Sequence, residues 1–248
     1  MNKKYIAHSF NRAAKKYDKI AIFQQKSGQH LFKLLSIIPG KTILDAGCGT
    51  GYFSYQWKLI GKKVIALDIS SSMLKVAKKK GAANTYIQAD MEMLPLKNES
   101  VDLCFSHLSI QWCDNLHHTL SELYRITKRG GVIAFSTLLE GSLNELKECW
   151  RKIDNNSHIN SFMNIQDIKA ICNIWKYKFE QQCWLTIYPS LITLLKSLKD
   201  IGATYLKKGR THGLMTKNKL NKLALYYPHI GHQFPLTYQL LFGILYRE

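Results

Sequence analysis

The sequence is short of acidic residues, of arginine and of long apolar runs, and it has no paired-cysteine motif. No apolar stretch approaches the roughly 20 residues that a membrane helix needs. The longest, such as residues 240–246, are strand-sized. The N-terminus opens basic, but His8, Asn11, Arg12, Lys15 and Lys16 interrupt any signal-peptide apolar core. Membrane insertion and secretion are thereby disfavoured, and a cytoplasmic protein is expected. The six cysteines, at 48, 104, 113, 149, 172 and 183, form no Cys-x-x-Cys pair, and no histidine pair stands at zinc-finger spacing. They read as free, mostly buried thiols in a reducing compartment. Internal repeats and low-complexity linkers are also absent.

The acid deficit leaves a formal net charge of +18, from 35 basic and 17 acidic side chains. Nucleic acid, an acidic membrane surface or an acidic protein could each balance it. Lysine supplies 29 of the basic residues and arginine 6. The excess is +10 over residues 1–140 and +8 over 141–248, so there is no basic tail. Much of the charge therefore reads as a solvated lysine-rich surface.

The 248 residues, 46% of them hydrophobic and 11% aromatic, suit one α/β domain with elaborations. Strand-like runs fall at 42–46, 63–68, 84–90, 101–106, 132–137, 179–188 and 238–247. Helical stretches at 52–60, 71–80, a short piece near 91–94, and 116–127 separate the first five. This rhythm predicts a doubly wound, mostly parallel, seven-stranded Rossmann-like sheet. Residues 1–38 form an amphipathic cap, with Ile6, Phe10, Ala13, Ala14, Tyr17, Ala21 and Gln24 at helical spacing. The core spans 39–188. A helical insertion, 189–237, with helices at 190–201 and 217–227, precedes a closing strand at 238–248, all within one domain.

The most informative stretch is Ile43-Leu44-Asp45-Ala46-Gly47-Cys48-Gly49-Thr50-Gly51-Tyr52-Phe53: a strand, a glycine turn and a helix start. Gly47, Gly49 and Gly51 allow positive φ and close approach of a ligand to the backbone. Asp68 ends the next strand, where an acid suits two ribose hydroxyls. The spacing is G-x-G-x-G rather than the dinucleotide G-x-G-x-x-G. Asp45, just before the turn, would serve a pyrophosphate badly and a cationic amino-acid group well.

This combination resembles motif I of class I S-adenosylmethionine-dependent methyltransferases. The resemblance implies that Asp68 binds a ribose diol, that Ile69 and Met73 line an adenine pocket, and that Asp90 with the Met91 backbone reads the adenine amino edge. It places Ser106 beside the methionine part. Three further stretches narrow the family: Phe10-Asn11-Arg12-Ala13-Ala14-Lys15-Lys16-Tyr17-Asp18, Ser106-His107-Leu108-Ser109-Ile110-Gln111-Trp112, and Ser197-Leu198-Lys199-Asp200-Ile201-Gly202-Ala203-Thr204 with Gly209-Arg210 and Pro235-Leu236-Thr237-Tyr238. With Gly141-Ser142-Leu143-Asn144-Glu145-Leu146 they resemble the malonyl-acyl-carrier-protein O-methyltransferases of biotin synthesis, over nearly the whole chain. His107, where asparagine is expected, and the Thr211-His212-Gly213 segment depart from the pattern.

The implied reaction is methyl transfer from S-adenosylmethionine to the free carboxylate of a malonyl thioester. A carboxylate of pKa near 4 is already ionised at neutral pH. No acid–base residue and no metal is therefore expected. Tyr17 is the first candidate to position the malonyl carboxylate, with Gln24 and Gln111 next; Gln24 is also placed at the cofactor. Gln111 and Trp112 are expected beside the substrate, and the histidines are read as surface or packing residues. The implied partner is an acyl carrier protein, generally acidic. Lys199, Lys207, Lys208 and Arg210 are the expected part of a basic face for it, with Arg210 also able to grip a carboxylate or phosphate. A methyltransferase for another small acid or a quinone shares the core, without predicting the stretches around 199–204 and 235–238. An RNA methyltransferase would account for the charge. However, the position after the fourth strand reads Ser106-His107-Leu108-Ser109, not Asn/Asp-Pro-Pro-aromatic, and no single-strand stacking platform is evident. Neither nucleic acid nor membrane is expected as partner.

Overall fold

The run Thr-Ile-Leu-Asp-Ala at 42–46 is buried on both sides, as a central parallel strand covered by helices must be. A computed structural model describes residues 3–35, 40–154, 156–203, 206 and 216–248. Among the described residues seven strands form one sheet: β1 (Thr42–Ala46), β2 (Lys63–Asp68), β3 (Thr85–Gln88), β4 (Val101–His107), β5 (Thr127–Leu138), β6 (Lys176–Tyr188) and β7 (Phe234–Tyr246). Their order is β3-β2-β1-β4-β5-β7-β6. The first five run parallel, and β7 is antiparallel to both β5 and β6. The expected doubly wound sheet is thus present, and β1 and β2 carry their expected bounds.

Ten helices surround it: α1 (Lys3–Ala13), α2 (Tyr17–Ile20), α3 (Ile22–Leu35), α4 (Tyr52–Leu59), α5 (Ser71–Lys79), α6 (Leu116–Ile126), α7 (Asn144–Arg151), α8 (Ile165–Cys172), α9 (Leu191–Asp200) and α10 (Lys217–Tyr226) among the described residues. Side chains set several starts. Ser70 accepts from the Met73 N–H at α5, and Asn115 accepts from the His118 N–H at α6. One apolar layer packs Leu120, Leu123 and Ile168 under the sheet, and the other packs Leu31, Phe53 and Trp57 above it. A third cluster joins α7, α9 and α10 to the start of β7. No helix among the described residues is long and apolar enough to cross a membrane.

Several elements differ from the sequence reading. No helix forms at 91–94; Asp90 opens a turn closed by the Met93 N–H on its carbonyl (3.0 Å), and Pro95 disfavours helical geometry in the residue before it. β5 begins at Thr127 because the Lys-Arg-Gly-Gly segment pairs with the chain end: Gly130 N–H bonds Arg247 O at 2.7 Å. β7 begins at Phe234, four residues before the expected insertion boundary, because Phe234–Thr237 pairs with the end of β6. The sequence reading placed no helix at α7 or α8, each only 8 residues long. The N-terminal cap is three helices.

Candidate active site

The cap is fastened over the carboxyl ends of β1, β2 and β3 by polar contacts from its first two helices. On α1, Lys3 Nζ bonds Glu92 and lies 3.3 Å from Asp90 Oδ2. Asn11 Oδ1 accepts from Ser70 Oγ (2.7 Å) and from the Ser72 N–H (3.0 Å). On α2, Asp18 accepts from Thr50 Oγ1, in the glycine turn, and from Lys80 Nζ. Ala13 and Ala14 pack on Met73.

Beneath the cap lies a first cavity. The glycine turn forms its floor, with Gly47 at φ +78°. A Cβ on Gly47 would stand 2.2 Å from Ser109 Oγ, so only glycine fits. Gly49 N–H donates to Asp68 Oδ2 (2.8 Å) and Ser70 N–H to Asp68 Oδ1 (2.7 Å), fixing the carboxylate. Asp45 accepts from Ser54 Oγ at 2.5 Å. Burial pushes the Asp45 carboxyl up to about 7; the nearby Asp68 adds to the rise and Ser54 opposes it. Burial likewise takes Asp68 up to about 6, against its backbone N–H donors. Two adjacent buried carboxyls suit a ligand that brings a cation and hydroxyl donors.

Asp45, Gly47, Gly49, Asp68, Ile69, Met73, Asp90, Met91 and Gln24, all expected at the cofactor, line this cavity. Two expected residues do not. Ser106 is fully buried, donating to Ala46 O (2.9 Å), so it ties β4 to β1. Gly51 caps α4; a Cβ there would lie 2.6 Å from Ala82 Cβ, so helix packing fixes it.

A second cavity, of about 830 Å³, opens beside the first. Gln111 and Lys199 line it alone, while Tyr17, Gln24 and Trp112 line both, together with Phe10 and Leu108. Phe10 and Trp112 meet edge-to-face, with ring centroids 5.5 Å apart. Burial, then Asp68 and Asp18, hold the Tyr17 phenol protonated by raising its pKa. Gln111 is committed in part: its Nε2 donates to Leu108 O at 2.9 Å. Lys207, Lys208 and Arg210 lie outside the described residues.

The sequence reading missed three contributors. α7 supplies Leu146 and Trp150 to the second cavity, and Phe23 stacks on Tyr238 at its wall (3.9 Å). His107, read as packing, lines the first cavity at the end of β4, a position where open α/β sheets bind ligands. Its Nε2–H donates to Gln24 O (2.8 Å), which can only accept, so Nδ1 accepts from Ser136 Oγ (2.6 Å). The neutral imidazole thus pins the start of α3, and burial lowers its pKa to about 4. His107→Ala removes one partner each from Gln24 O and Ser136 Oγ, which keep bonds from Ser27 Oγ (3.4 Å) and from the Leu108 N–H (3.1 Å), so two lost hydrogen bonds cost about 1–3 kcal/mol. The unfolded histidine titrates near 6.5 and the folded one near 4. Wild-type stability from this group is therefore lost as pH falls between those values, and the deficit of His107→Ala narrows over the same window. Urea unfolding at pH 8 and pH 5 reads both.

Residues 44–135 match a family described as a methyltransferase domain. The malonyl-[acyl-carrier protein] O-methyltransferase of Pectobacterium atrosepticum is 45% identical over 247 residues, covering 100% of this chain and 98% of the relative. That of Serratia marcescens is 45% identical over 248 residues, covering 100% and 97%. Among solved structures, the YcgJ protein of Bacillus subtilis superposes with a TM-score of 0.65 at 15% identity, covering 90% of this chain and 99% of that one.

Proposed function

The chain belongs to the malonyl-[acyl-carrier protein] O-methyltransferase family, and from that membership we propose how its two cavities divide the work of methylating the free carboxylate of a malonyl thioester on an acyl carrier protein. The observation that carries the proposal is the wall shared by Phe10, Tyr17, Gln24, Leu108 and Trp112. A donor in the first cavity and an acyl group in the second would meet there.

Asp45 would hold the amino-acid cation of S-adenosylmethionine and Asp68 its ribose hydroxyls. Ile69 and Met73 would flank the adenine, and Asp90 with Met91 its edge. The buried acid pair and the cramped glycine turn fit such a ligand. When bound, S-adenosylmethionine supplies a methyl group already electrophilic on a sulfonium, so an ionised carboxylate needs neither a base nor a metal to attack it. What the chain contributes is placement and exclusion of water, and well-oriented reactions gain roughly 7–11 kcal/mol from placement. The Tyr17 hydroxyl, kept protonated, would donate to one malonyl oxygen and leave the other free to react. Trp112, Phe10 and the fastened cap would keep water from the shared wall.

Tyr17→Phe is expected to lower kcat/KM for malonyl carrier protein about tenfold, the worth of one hydrogen bond to a charged group. The dissociation constant for S-adenosylhomocysteine should stay within threefold. Unchanged kcat/KM would make Tyr17 packing alone. The carrier partner would be acidic, met by a basic rim, in a cytoplasmic protein that contacts neither RNA nor membrane. Complementation of a biotin-requiring strain lacking this step tests the reading, with Asp45→Ala as the inactive control. Growth without biotin supports it, and failure of the intact gene to rescue contradicts it.

A further inference from the structure

The second cavity has an apolar interior and a charged mouth. Its inner wall includes Phe23, Leu146, Trp150 and Tyr238. On α9, Ile192, Leu195, Lys196 and Lys199 fall at i, i+3, i+4 and i+7 and all line the cavity, while Leu191 and Leu194 are buried in the core. Arg12, in the last turn of α1, lines the same cavity. The two helices converge where α9 ends: a Cβ on Gly202 would lie 3.1 Å from Phe10 Cδ1 and from Ser9 O. Arg12, Lys196 and Lys199 are exposed. No ion pair or hydrogen bond joins any of the three to another side chain among the described residues. None of the five residues shared by the two cavities is charged, so these cations belong to the second cavity alone.

We infer that this mouth holds the phosphodiester of the carrier protein's 4′-phosphopantetheine arm, and that Arg12, Lys196 and Lys199 select phosphorylated arms. The inference rests on the proposed function. A malonyl group is far smaller than a cavity of about 830 Å³, so most of that space is left for the arm. The arm's amides and methylenes suit a largely apolar wall with a few polar groups, such as Gln111 and Asn160. Its one anion, at the far end from the thioester, then lies outside the apolar wall. Three exposed cations against Asp200, the one acid lining this cavity among the described residues, complement it. The malonyl carboxylate is the competing anion, but it must reach the uncharged shared wall to react.

Binding of 4′-phosphopantetheine and of pantetheine, measured by calorimetry on protein saturated with S-adenosylhomocysteine at low salt, tests this directly. Wild type is expected to prefer the phosphorylated ligand at least tenfold. In Arg12→Ala/Lys196→Ala/Lys199→Ala the preference falls below threefold. The charge-keeping Arg12→Lys/Lys196→Arg/Lys199→Arg retains at least half of it. Should the alanine variant not bind S-adenosylhomocysteine, the corresponding triple glutamine variant takes its place. Equal binding of the two ligands by wild type, or an undiminished preference in the neutral variant, overturns the inference. Methyl transfer to malonyl carrier protein, run alongside, separates the two ideas. Preference without transfer leaves the arm site standing and removes the proposed reaction, whereas transfer without preference does the reverse.

Discussion

Asp68→Ala is expected to weaken S-adenosylmethionine binding at least about a hundredfold, because two charge-assisted hydrogen bonds at roughly 1.5–3 kcal/mol each are lost. Each oxygen of Asp68 already accepts one backbone N–H, from Gly49 or Ser70, which aims its remaining lone pairs at the cavity. The substitution also strands those two N–H groups at the glycine turn. Asp68→Asn keeps one acceptor and should lose less. Calorimetric titration with S-adenosylhomocysteine reads both variants, and a loss under fivefold for Asp68→Ala would remove Asp68 from the ligand-binding set.

Asp45→Asn should move stability and binding in opposite directions. Burial raises the Asp45 carboxyl to about 7 in the folded chain, against about 3.8 as an ordinary carboxyl. A raised carboxyl pKa means the folded state prefers the proton. Above pH 7 the fold therefore carries the cost of a desolvated carboxylate, and this cost fades as pH falls from 7 towards 3.8. An amide of the same shape avoids it and still accepts from Ser54 Oγ. Asp45→Asn should thus stabilise the ligand-free protein by about 1–3 kcal/mol at pH 8, less than the full shift converted at 1.36 kcal/mol per unit. The gain should shrink towards zero near pH 4. Affinity for S-adenosylmethionine should fall about tenfold or more, the worth of a paired charge. Thermal unfolding across this pH range, with and without S-adenosylhomocysteine, reads both effects. A destabilised variant at pH 8 would show that Asp45 serves the fold rather than the ligand. The same linkage predicts that ligand binding near pH 7 releases protons from the acid pair.

The sheet and the first cavity were legible because both depend on local signals. β1 and β2 are short, mostly apolar runs with an acid at or next to the last residue, and the glycine turn has a fixed spacing. The differences arise where tertiary contacts override local pattern. Ser106 sits next to cavity residues in sequence, but its hydroxyl donates to Ala46 O and it does not line the cavity. Gly51 shares the glycine motif yet answers to Ala77 and Ala82. His107 gave no sign of its role, because its partners lie 83 residues before it, at Gln24, and 29 after it, at Ser136. The second cavity was the least legible. Its wall gathers α1, α7, α9 and β7, and no period within one segment reveals that meeting.

The charge of +18 takes a narrower meaning from this geometry. Several lysines are spent within the fold: Lys3 on Asp90 and Glu92, Lys80 on Asp18, Lys128 on Asp102 and Lys219 on Asp154. Among the described lysines, Lys3 lines the first cavity and Lys196 and Lys199 line the second.

The central claim is carboxyl methylation of a malonyl thioester on a carrier protein. Transfer of radiolabelled methyl from S-adenosylmethionine to malonyl, acetyl and unacylated carrier proteins tests it most directly, with mild alkali afterwards. Label should enter the malonyl form alone and leave as methanol in base, as a methyl ester must. Equal label on the acetyl form, which has no free carboxylate, or label resistant to base, would contradict it.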